Sequence, residues 1–133
     1  MPEPQDATIS FVRPMIAFDR FEEFRLAPFG QSGVLYQLSA AGRGGPHFIA
    51  ADPASFFPDY AVEVCDSDVK ELGLEDVEDV LVLVLVTRPV TADGVPTANL
   101  MGPVVINRKN GRAAQVVFED GRYTARAPLA PVA

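Results

Sequence analysis

The sequence predicts an all-β domain, a small antiparallel β-barrel-like or roll architecture with one or two short helices. Three observations carry this reading. Short runs of alternating or β-branched residues recur along the chain. Twelve prolines and ten glycines punctuate them. A single stretch carries both a helix start and a helix stop signal. The 133 residues, 48% of them hydrophobic, suit one domain spanning 1–133 with a buried core. The ends, 1–7 and 127–133, are expected to fray.

Each element follows from local pattern. Thr8 to Val12 alternates and stops before Pro14. Phe24 to Phe29 and Gly33 to Leu38 are the next strands, and Gly42 to Pro46 reads as a turn. His47 to Ala51 is a strand closed by Asp52-Pro53. Asp66 is placed to cap a helix over Ser67 to Leu72, and Gly73 to end it in the left-handed conformation. Glu75 to Asp79 can add a second helical turn. Val80 to Thr87 is the strongest strand: valine alternates with leucine, so both faces are apolar and both need cover. Thr97 to Met101, Val104 to Asn107 and Ala113 to Glu119 complete the set, with a hairpin expected at Asn110-Gly111.

Composition excludes several functions. A net charge of −7 opposes direct contact with nucleic acid or an anionic membrane. One cysteine, Cys65, excludes an internal disulfide, and with one histidine, His47, it leaves too few ligands for a zinc site. No metal and no cofactor are expected. The N-terminus is acidic and proline-rich, unlike a secretory signal, and the longest apolar run falls far short of a membrane span. A cytoplasmic location is the expectation. Cys65 lies in the apolar alternation Val62, Val64 beside acids, which points to a packed thiol rather than a nucleophile. No Gly-x-Ser-x-Gly elbow accompanies His47. No set of nucleophile, base and electrostatic stabiliser assembles, so no catalytic residue is assigned and an enzyme is not expected.

The charge is concentrated. Residues 52–79 hold ten acids and one base, a net −9, whereas 80–133 carry a net +3. Such a segment is either a solvated face that maintains solubility or a surface that attracts a basic partner. Beside it stands Phe56-Phe57-Pro58-Asp59-Tyr60. Period-two alternation cannot bury Phe56 and Phe57 on one face. Either one of them is an exposed anchor for a partner, or the aromatics plug one end of the barrel.

These residues also carry a resemblance. Asp52 to Tyr60 resembles the Asp-Pro-x-x-Phe-Phe-Pro-Asp-Tyr stretch of the flagellar assembly factor FliW family. The acidic Leu-Gly-Leu segment follows as Glu71 to Asp76, then the strand Val80 to Val86. Thr97-Ala98-Asn99-Leu100, Pro103-Val104-Val105-Ile106-Asn107 and Gln115-Val116-Val117 with Arg122-Tyr123 come in the family's order, so the likeness covers residues 8 to about 126. The chain departs from the family at Arg13 to Phe18, where a Gly-Leu-Pro-Gly-Phe turn is usual, and over Leu35 to Ser39. The resemblance implies a non-enzymatic regulator. It would bind CsrA, an RNA-binding translational regulator, and antagonise repression of flagellin mRNA, with flagellin as a competing partner. The alternative is a flagellin-specific chaperone without a CsrA role. The candidate partner-binding residues are Phe56, Phe57, Asp59, Tyr60, Glu75, Asp76, Glu78, Asp79, Asn99 and Asn107.

Overall fold

The structure, a computed structural model, describes residues 7–13, 22–31, 33–40, 47–87, 89, 94–118 and 121–129. Nine strands and one helix are seen among them: β1 (Ala7–Phe11), β2 (Glu23–Pro28), β3 (Leu35–Ala40), β4 (His47–Ala51), α1 (Asp66–Leu72), β5 (Val80–Thr87), β6 (Thr97–Ala98), β7 (Val104–Asn107), β8 (Arg112–Gln115) and β9 (Ala127–Pro128). Seven strands close a ring in the order β4, β3, β2, β1, β8, β7, β5, and β5 pairs back to β4. The barrel expected from the strand pattern is therefore present. One junction departs from it: β1 and β8 run parallel, with Ser10 opposite Arg112 and Phe11 opposite Ala113. The other pairs are antiparallel.

Closure explains the two-faced strand. Leu81, Leu83 and Leu85 of β5 point into the barrel, where they join Ile9, Phe24, Leu38 and Ile106. Val84 and Val86 face outward into a second cluster with Ala98, Leu100, Ala127 and Leu129. Val80 and Val82 face outward into a third, around Leu72, Val105 and Ala114. The chain between β4 and β5 crosses the outside of the barrel, with its aromatics over the second cluster and α1 over the third. Leu72 is fully buried there.

A seven-residue helix is marginal by itself. Here its C-terminal carbonyls, which have no partners within the helix, are taken up by the β7–β8 turn. Asn107 Nδ2 donates to Leu72 O at 2.8 Å and to Gly73 O at 3.2 Å. Asn110 Nδ2 also donates to Leu72 O, and Arg112 Nη1 donates to Glu71 O. Gly73 ends the helix at φ 68°, as expected. The helix N-cap is Cys65, not Asp66, because the helix begins at Asp66, one residue before the expected start at Ser67.

Other boundaries shift for local reasons. The expected strand Thr97 to Met101 stops at Ala98, because the Asn99 side chain accepts from Met101 N and Gly102 N and turns the chain. The β7–β8 connection is four residues long, 108–111, with Gly111 at φ 79°. A β-carbon there would lie 2.8 Å from Thr8 O, so the turn and β1 approach more closely than any other residue allows. Fraying is corrected at both described ends. Ala7 pairs with Leu26, and β9 pairs with β6 while Ala127 and Leu129 are buried. The rest of both tails, the expected turn at Gly42 to Pro46 and the departure at 14–18 lie outside the described residues.

Candidate functional site

The crossing segment, 52–79, brings the candidate residues together. It starts with Asp52, whose Oδ1 accepts from Ala54 N and begins a 3-10 turn over Pro53–Ser55. Phe56, Phe57 and Tyr60 then fold back onto the outer face of β5 and pack against the second cluster. Tyr60 donates to Leu100 O at 2.7 Å and stacks edge-on against Tyr123 with ring centroids 4.6 Å apart. Burial, with a smaller effect from Tyr123, holds the Tyr60 hydroxyl well above the usual phenol range. Tyr123 in turn accepts from Ala61 N and donates to Ala61 O. The aromatics therefore cover the barrel wall. The alternative of an exposed aromatic anchor is not found: Phe56 and Phe57 are both half-buried, and in this stretch Pro58 and Asp59 are the exposed residues.

Two further candidates have structural work. Asn107 is 2% exposed and its amide is fully engaged, since Oδ1 accepts from Lys109 N besides the two bonds to α1. As a partner-contact residue it is corrected: it is a buried clamp between β7 and the helix. Asn99 is half-buried and shapes the turn after β6.

The acidic residues divide into two groups. Asp68 is buried and pairs with Arg13 Nη1 at 2.7 Å, and the same guanidinium holds Glu71. Burial alone raises the Asp68 carboxyl, but hydrogen bonds from Cys65 and Arg13 and the Arg13 charge outweigh it, and the net shift is downward. These two acids tie α1 to the end of β1. Glu75, Asp76 and Glu78 are exposed and Asp79 is half-buried. Glu75 lies 3.9 Å from Lys109 Nζ, a loose contact between exposed side chains. Asp76, Glu78 and Asp79 make no ion pair among the described residues. Arg112 does not neutralise them, because its guanidinium is on the Glu71 carbonyl.

Below this acidic edge lies an apolar groove of about 370 Å³. Val80 and Val82 of β5 form its floor, Val62, Val64, Val69 and Leu74 its walls, and Glu75, Asp76 and Val77 its lip. Sequence reasoning did not single out this groove. The signals were there: the alternation Val62, Val64 and a valine, Val77, set among acids. A second cavity, of about 420 Å³, opens at the barrel end beside the β7–β8 turn, with Ile9, Leu26, Leu81 and Ile106 inside and Arg108 and Lys109 at its edge.

The other sequence candidates do not form a catalytic set. Cys65 is exposed rather than packed, and its thiol donates to Asp68 Oδ2 at 3.1 Å. His47 Nδ1 lies 3.2 Å from Ser39 Oγ, a cross-strand pair between β3 and β4 on an exposed face. Among the described residues no carboxylate contacts that imidazole, and no cluster of three metal-ligating side chains occurs. No helix among them is long and apolar enough to cross a membrane.

Comparison with known proteins agrees with this architecture. The family model described as FliW protein matches residues 2–129. A flagellar assembly factor FliW of Shouchella clausii is 32% identical over 127 residues, covering 94% of this chain and 85% of the relative. That of Treponema denticola is 34% identical, covering 89% and 79%. The crystal structure of a flagellar assembly factor FliW superposes with a TM-score of 0.80 at 25% identity, over 93% of this chain and 86% of that one. The chain belongs to the FliW family.

Proposed function

We propose that this protein acts as a flagellar assembly factor by binding the RNA-binding regulator CsrA and lifting its repression of flagellin mRNA, with flagellin competing for the protein. Family membership supports the general role. One observation carries the mechanism: Asp76, Glu78 and Asp79, within four residues of one another in sequence, make no ion pair among the described residues. RNA-binding proteins carry Lys and Arg where phosphates dock. A fixed negative edge held against such a protein attracts it and lowers the potential felt by RNA, without occupying the RNA site.

The chaperone alternative relied on an exposed aromatic anchor. Phe56, Phe57 and Tyr60 face the barrel wall, so they support that reading less. The test is calorimetric titration of CsrA with the wild-type chain and with a variant carrying Asp76→Lys and Glu78→Lys. A direct complex that the reversal weakens, and whose affinity falls with added salt, is the expected result. Absence of a complex with wild type refutes the proposal.

A further inference from the structure

The outer face of β5 is covered unevenly. Val84 is fully buried beneath the aromatic cover, whereas Val80 and Val82, four and two residues earlier on the same face, are only half-buried. Between them and α1 the cover leaves the groove of about 370 Å³, within the size range of sites that accept a ligand group. Val77 stands at its lip 86% exposed, in a 3-10 turn. A β-branched residue in that position gains little from folding, and it extends the apolar surface of the groove outward.

We propose that this groove is the docking floor for a segment of the partner that inserts an aliphatic side chain between β5 and α1 and places flanking Lys or Arg against Glu75 and Asp76. Charge complementarity selects that occupant: the lip carries Glu75 and Asp76, and the cation nearest them, Lys109, is only in loose contact with Glu75 at 3.9 Å between exposed side chains, so a partner's cation can displace it. The inference rests on the CsrA reading, because an RNA-binding partner supplies the cationic flanks. It adds an apolar anchor, which sets the lifetime of a complex that charge alone would only steer. Association would then be fast and salt-dependent through the acids, and persistence would depend on the valines.

The test uses the whole chain and CsrA. Val77→Asp changes an exposed side chain and leaves the melting temperature near wild type. Val95→Asp, at another exposed valine that does not line the groove, is the control. The expected result is a CsrA affinity weakened about tenfold or more by Val77→Asp and unchanged by Val95→Asp. Methyl resonances of Val62, Val64, Val77 and Val80 should shift on titration. Wild-type binding that Val77→Asp leaves intact, with those methyls unmoved, overturns the groove and spares the acidic-edge reading. No binding by wild type overturns both.

Discussion

Asn107→Ala separates a structural residue from a contact residue. Wild-type Asn107 makes three hydrogen bonds, to Leu72 O, Gly73 O and Lys109 N. Their loss is unequal. Leu72 O keeps the Asn110 donor at 3.0 Å. Lys109 is exposed, so water can reach its N–H. Gly73 O also loses its amide donor, but Gly73 is exposed, so water can replace it. The lost buried donor to Leu72 O, the two bonds passed to water and a small cavity amount to about 2–3 kcal/mol. For a domain of this size that lowers the melting temperature by about 6–12 °C. Circular dichroism melts of wild type, Asn107→Ala and Asn110→Ala measure it, and Asn110→Ala should cost less. At a temperature where Asn107→Ala is still folded, its affinity for CsrA should stay near wild type. A variant with an unchanged melt and lost binding would refute the clamp and restore Asn107 as a contact.

Two further perturbations test the frame that holds the site. Arg13→Ala frees Asp68 and Glu71 and should cost about 1–2 kcal/mol near neutral pH by denaturant titration. Asp68 has a lowered folded-state value, so its contribution is present above the ordinary carboxylate range and is lost as pH falls through the lowered value. The gap between wild type and Arg13→Ala should therefore close in strong acid; a gap independent of pH would count against the pair. Gly111→Ala combines a φ of 79° with a β-carbon 2.8 Å from Thr8 O, and should destabilise by about 2 kcal/mol or more in the same assay.

Much of the barrel was legible because its signals are local. The alternation of β5 announced both faces, and Gly73 announced the end of α1. Non-local pairing was not legible. The parallel β1–β8 junction depends on closure of the ring, and Arg13 finds Asp68 only after folding. β9 was hidden in an Ala/Pro tail whose two paired residues take their register from β6. At the site, the acidic run was plain, but composition cannot say which acids meet a base. Only the fold separates Asp68 and Glu71, which meet Arg13, from Asp76, Glu78 and Asp79. The valines of the groove read as core because hydrophobicity does not reveal how completely a strand is covered. Asn99 and Asn107 were placed by motif as contacts, yet their amides bond to this chain's own backbone.

The most direct measurement is the affinity of CsrA for flagellin leader RNA as this protein is added, at low and at high salt. The account predicts that wild type weakens RNA binding, that the effect shrinks as salt rises, and that a variant with Glu75→Lys, Asp76→Lys, Glu78→Lys and Asp79→Lys loses it. RNA affinity that stays constant while CsrA is saturated with this protein would contradict the account.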